Sequence, residues 1–115
     1  MKRNSNNYLT DILIAIIDMD EFTVGLSFED FSKDKKTIAA VIRNLEIIGE
    51  AAKNVPSFIR HEYPSIPWKQ MAGIRDKIIH QYWSVDQVIV WETLKVNIPS
   101  LKEEIEKLIK QSRNQ

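Results

Sequence analysis

The chain has no cysteine among its 115 residues. It therefore has no disulfide framework, no thiolate metal site and no cysteine nucleophile. Glycine is scarce too. There are three, none arranged as G-x-G-x-x-G or G-x-x-x-x-G-K, so a glycine-rich phosphate loop is excluded. Two histidines, His61 and His80, cannot make a zinc site unless carboxylates complete it. Neither sign of charge is in excess: sixteen basic and sixteen acidic side chains cancel. That excludes a polycationic nucleic-acid coat and a polybasic membrane binder, and leaves any nucleic-acid contact to a local patch. No apolar run can span a bilayer, because residues 9–17 are interrupted by Asp11 and followed by Asp18 and Asp20. The polar residues 1–7 carry no leader pattern, and the cytoplasm is the expected compartment.

What is present is a globular mixture, 43% apolar and 28% charged, of a length that suits a single domain over 1–115. The apolar residues recur at helical spacing throughout. Leu9, Ile12, Leu13, Ile16 and Ile17 predict a first helix over 7–22, broken at Gly25. Ser27 and Asp30 have capping-box spacing and predict a short turn over 28–31. Ile38, Val41, Ile42, Leu45, Ile48, Gly49 and Ala52 form the strongest stripe. Asp34 is placed to cap that helix and Pro56 to stop it. A glycine inside it costs roughly 1 kcal/mol against alanine, which is reasonable where another helix packs closely.

Residues 57–63 read as a short helix closed by Pro64. Pro67 suits a first helical position, predicting a helix over 67–82. Asp86 is a candidate cap for the next helix, which carries Val88, Ile89, Val90, Trp91 and Leu94. Pro99 should kink or restart it before the stripe Leu101, Ile105, Leu108 and Ile109, with a polar, fraying tail from 111. The expected architecture is an all-α bundle of four to five main helices. Charge is uneven along it. Residues 11–32 hold six acids and no Lys or Arg, whereas Lys33, Lys35, Lys36 and Arg43 follow within 33–43.

One helix breaks its own pattern. On a wheel turning roughly 100° per residue, Met71, Ile74, Ile78 and Ile79 span an apolar arc that contains Arg75. An unpaired buried guanidinium is costly, so Arg75 either pairs with a carboxylate, with Glu46 or Glu50 as candidates, or faces a cleft. His80 lies roughly 140° from Arg75. Asp76, four residues before His80, is its neighbour on the helix and can orient the ring and raise its pKa. A fixed cation, a titratable imidazole and the hydroxyl of Tyr82 suit phosphoryl transfer on RNA. Lys69 and Lys77 flank the set and are candidates for RNA phosphates or simply for solvent. Trp68, Trp83 and Trp91 can stack on bases or pack in the core. Glu46 and Glu50, four apart on one helix, could hold a metal with His80, and an ion pair with Arg75 or a solvated face suits them better.

The run Gly73-Ile74-Arg75-Asp76-Lys77-Ile78-Ile79-His80-Gln81-Tyr82 resembles the R-x4-H-x-Y motif of HepT-like HEPN toxins. The run Arg43-Asn44-Leu45-Glu46-Ile47-Ile48-Gly49-Glu50-Ala51 resembles that family's long second helix. Pro67-Trp68-Lys69, Val85-Asp86 and Val90-Trp91-Glu92 extend the likeness to about residues 8–110. The resemblance implies a homodimeric HEPN-type bundle with two motifs facing across a cleft. It implies a metal-independent ribonuclease toxin, needing no cofactor, whose catalytic residues are Arg75 and His80. It further implies a minimal nucleotidyltransferase antitoxin, which in some members transfers AMP to the motif tyrosine, here Tyr82. Many HEPN ribonucleases have Asn after the Arg, where this chain has Asp76. The competing reading is a non-catalytic helical dimer that binds a nucleotidyltransferase or a nucleotide.

Overall fold

The structure is a computed structural model that describes residues 5–80 and 87–113, and side chains over 7–74 and 87–111. Its helices are α1 (Ser5–Thr23), α2 (Phe28–Lys33), α3 (Lys35–Asn54), α4 (Ser57–Glu62), α5 (Trp68–His80), α6 (Gln87–Glu92) and α7 (Ile98–Arg113). A single π-helical turn (Thr93–Asn97) joins α6 to α7. Among the described residues there is no strand, as the helical periodicity predicts.

α1 buries Leu9, Ile12, Ala15, Ile16 and Met19 along one face, against α3 and α7. It starts at Ser5, ahead of the apolar repeat. The chain leaves it through Gly25 at φ 77°, a left-handed conformation that costs a Cβ-free residue little. The capping box then forms as the spacing predicts: Asp30 N–H donates to Ser27 Oγ at 3.1 Å, and Ser27 N–H to Asp30 Oδ2 at 3.2 Å.

Asp34 caps α3 twice, accepting from Thr37 N–H at 3.0 Å and from the Thr37 hydroxyl at 2.6 Å. These bonds, the hydroxyl first, hold its carboxyl below the ordinary carboxylate value. α3 is packed by α1 on one side and α5 on another. Val41, Leu45, Ile48, Gly49, Ala51 and Ala52 are buried on it. Asn44 is buried among them, and its Nδ2 donates to Ala40 O at 2.8 Å.

At the later helices, Pro67 lies just outside α5, which begins at Trp68; its carbonyl accepts from Met71 N–H at 3.0 Å. Pro99 stands in the first turn of α7, where the α-helix restarts after the π turn without a break in the helical backbone. Helical dihedrals continue through Glu92 (φ −61°, ψ −43°) and Ile98 (φ −65°, ψ −41°), so the backbone stays helical over 87–113. The π turn explains this. Proline lacks the N–H for the ordinary bond, and its ring crowds the carbonyl four residues back. Widening the turn just before Pro99, with Ile98 N–H donating to Thr93 O, absorbs both problems. α7 then presents Leu101, Ile105, Leu108 and Ile109 to the core and reaches Arg113, past the expected start of a frayed tail at 111. Asp86, the expected cap of α6, lies outside the described residues.

Trp91 ties α2 to α6. Its ring lies 5.0 Å from Phe31 and 6.1 Å edge-on from Phe28, with Lys95 Nζ 4.8 Å from its centroid. Among the described residues no helix is long and apolar enough to cross a membrane.

Ile48→Ala should lower unfolding free energy by about 2–5 kcal/mol, because it opens a cavity at a fully buried site. Ile14→Ala, at a position 52% exposed, should stay within about 0.5 kcal/mol of the parent. Denaturant titration of both checks the contrast. The Asp34 carboxylate stabilises the fold above its ordinary titration range, and that contribution drains away as pH falls through the depressed pKa. Asp34→Asn should therefore flatten the acid limb of stability against pH.

Candidate active site

α5 is positioned from its first turn. Trp68 is 7% exposed, and its indole Nε1–H donates to Tyr63 O at 3.0 Å, fastening α5 to the end of α4. Met71, one turn on, is buried in the core, and Ile74 is partly buried against it. Trp68 is thus a packing residue and not a stacking platform for bases. Trp91, packed on Phe31, takes the same role. Trp83 lies outside the described residues.

The backbone stays helical from Trp68 through His80, so Arg75, Asp76, Lys77 and His80 all lie on α5. Helix geometry sets Arg75 and His80 about 7.5 Å apart along the axis and about 140° apart around it. It sets Asp76 and His80 one turn apart on a shared face. The side chains of 75–80 lie outside the described residues, as does Tyr82 altogether. Lys69 is exposed on the first turn of the same helix.

Glu46 and Glu50, the candidate partners of Arg75, lie on α3 with Arg43 and Asn54. Together with Tyr8 and Asp11 of α1 they line a polar pocket of about 340 Å³. The two glutamates therefore face a hollow beside α1. Among the described residues no three His, Asp or Glu side chains come together as a metal site. His61 is exposed on α4.

One feature of the site is absent from the sequence reading. A groove of about 280 Å³ runs between α5 and the α6–α7 rod, with Leu45, Met71, Ile74 and Ile89 among its walls. Its only signal in the sequence is Val88-Ile89-Val90-Trp91, four apolar residues on a helix of six. So short a helix cannot bury every side, and Ile89 is left 59% exposed.

The "Ribonuclease HepT-like" family profile matches residues 12–108, a span that contains the whole of α5 and every motif position. The chain belongs to the HepT-like ribonuclease family. It is 54% identical over 110 residues to "Probable ribonuclease HepT" of Thermococcus cleftensis, covering 96% of this chain and 100% of that protein. Two Methanocaldococcus jannaschii proteins, "Putative RNase MJ0125" and "Putative RNase MJ1216", are each 50% identical over 109 residues. Those matches cover 95% of this chain and 94% and 90% of theirs. No solved structure is a significant match. The family and its relatives carry the names of ribonucleases, and the HepT-like match agrees with the all-helical bundle described above.

If Trp68 serves packing, Trp68→Ala should cost about 3–5 kcal/mol of stability, measured by thermal or denaturant unfolding. Trp68→Phe should retain the fold and leave RNA affinity, measured by fluorescence anisotropy, unchanged.

Proposed function

We propose that this chain is a metal-independent ribonuclease toxin that acts as a homodimer, with Arg75 and His80 of each copy facing a shared cleft. The observation that carries the reading is the coincidence of two findings. The R-x4-H-x-Y run falls inside the matched HepT-like span, and its Arg and His positions share a helix seated on the core through Trp68 and Met71. The chain acts as one domain, and the compartment is the cytoplasm, where its RNA substrate is found.

The chemistry follows from the two groups. His80 takes the 2′-hydroxyl proton as that oxygen attacks the adjacent phosphorus, or returns a proton to the departing 5′-oxygen. Arg75 holds the phosphate oxygens through two N–H groups while negative charge builds on them. Asp76, one turn before His80, orients the imidazole and favours its protonated form. Its charge also disfavours close approach of phosphate, which slows cleavage or narrows the substrate range. Lys69 and Lys77 contact phosphates on either side of the cut. Proton transfer by His80 and charge stabilisation by Arg75 carry the step without a metal. A dimer suits an apolar stripe interrupted by arginine, because an isologous interface brings two motifs together around a cleft.

The antitoxin partner is a minimal nucleotidyltransferase. It silences the toxin by joining the Tyr82 oxygen to the α-phosphorus of ATP. Pyrophosphate leaves and the phenolic proton goes to solvent. The new phosphodiester then competes with RNA for Arg75.

Purified, unmodified protein should cleave RNA in excess EDTA, and His80→Ala and Arg75→Ala should abolish cleavage with little change in thermal midpoint. Loss of activity with chelator overturns metal independence. A collapse in stability of either variant favours a structural ion pair, whose disruption costs about 3–5 kcal/mol. Co-expression with the cognate nucleotidyltransferase should add AMP to a peptide containing Tyr82, read by intact and peptide mass spectrometry. Tyr82→Phe should escape that mass increase and keep its toxicity. An unmodified wild-type protein refutes the regulatory step.

A further inference from the structure

α1 is apolar on two opposite faces. Its inner face, with Leu9, Ile12, Ile16 and Met19, is fully buried, and the helix packs on α3 and α7. Its outer face carries Ile14 at 52% exposure and Ile17 at 38%, with Val24, just beyond the last turn, more exposed still. On the helical wheel Ile14, Ile17, Asp18 and Glu21 share an arc of about 100°, turned away from the buried one. α3 and α7, its two neighbours, expose no large apolar side chain over their described residues. One apolar stripe is enough to seat a surface helix on its own core. A second, on the solvent side, marks a contact with another molecule.

The charges that α1 sets around this outer stripe are of one sign. Residues 11–32 hold six acids and no Lys or Arg. Three of the six are occupied within the chain. Asp20 pairs with Lys102 at 3.6 Å, Glu29 pairs with Lys33 at 3.1 Å, and Asp30 closes the capping box of α2. Asp11 lines the polar pocket shared with α3. Asp18 and Glu21 are left. They flank Ile14 and Ile17, and among the described residues neither has an ion-pair partner.

We propose that the outer face of α1 docks a protein partner whose contact surface is apolar and flanked by lysine or arginine, and that this partner is the nucleotidyltransferase. The partner's identity rests on the two-component reading above, which the docking site deepens. Charge narrows the occupant. Asp18 and Glu21 repel RNA and an anionic membrane surface alike. A second copy laid on this face through its own α1 would bring two acidic helices together, with no cation over 11–32 in either. A basic protein surface meets both features: apolar side chains cover Ile14 and Ile17, and cations pair with the two carboxylates. α1 packs chiefly on α3 and α7, so this face is separate from the α5 stripe given to the dimer. It is also separate from Tyr82 along the chain. Contacts made here hold the substrate protein equally before and during AMP transfer, so they act on KM and leave kcat unchanged.

The full chain and the purified cognate nucleotidyltransferase test this by titration calorimetry and by the kinetics of AMP transfer. Ile14→Ser and Glu21→Lys, both at exposed positions, should remain folded by circular dichroism. Each should weaken binding of the nucleotidyltransferase by about tenfold. Each should also raise KM for AMP transfer to the chain while kcat stays at the parent value. Ile14→Leu, which keeps the apolar contact, should bind like the parent. Added salt should weaken the parent complex more than the Glu21→Lys complex. Variants that are bound and modified like the parent overturn the docking site and leave the two-component reading standing. A parent chain that the nucleotidyltransferase neither binds nor modifies sinks that reading, and the site with it. Variants that bind the nucleotidyltransferase normally but change the oligomeric state by light scattering place a second copy on this face and overturn the proposal.

Discussion

The burial of α3 on two sides is the constraint on which the rest of this structure depends. α1 packs on it from one direction and α5 from another. A helix flanked in this way needs a wide apolar surface, and α3 supplies it with Val41, Leu45 and Ile48 at full size. Toward its end the residues become small: Gly49, Ala51 and Ala52 are all buried. Small side chains let neighbouring helices approach, and a helix-interior glycine, costly alone, becomes tolerable in such a place. Asn44 is the one polar residue admitted to the stripe. It is accommodated because its amide bonds back to its own helix at Ala40 and leaves no donor stranded.

α5 inherits its place from this arrangement. A catalytic pair must be held to a fraction of an ångström, and sites on packed helices meet that demand better than sites on loops. Trp68 and Met71 do the holding, four to twelve residues ahead of Arg75 and His80 along one helix. On the proposed function, cleaving RNA and folding the chain draw on different residues of one helix. Its first two turns are anchored in the core, and its last two carry the chemistry proposed here.

Much of the fold was legible because its punctuation is local. Ser27 with Asp30, Asp34 with Thr37, Gly25 and Pro56 each act within four residues, and each did what its side chain dictates. Pro99 was harder to read because its effect depends on the turn before it. A wider turn lets the rod run on, and no residue type announces a π turn. Glu46 and Glu50 illustrate a further limit. Spacing places them together on one face but does not say what that face meets: it lines a polar pocket with Tyr8 and Asp11 of α1, while the expected partner Arg75 has its side chain outside the described residues. Of the site, the motif was legible as a run of ten residues. The groove beside it was not, because Leu45, Met71 and Ile89 are brought together only by the packing of three helices.

α5 meets two demands along its length. Its first turns satisfy the core, where Trp68 and Met71 are buried and Ile74 packs against them. Arg75 follows Ile74 directly in the sequence. A phosphate needs cations and open hydration, which an apolar core denies it. One helix can answer both needs because it separates positions by rise as well as by angle. Moving the arginine one turn earlier would set a guanidinium at position 71, where the present side chain is 2% exposed, and would cost the helix its anchor. The order of residues along α5 therefore lets the helix meet the core first and carry the proposed Arg75–His80 chemistry after it.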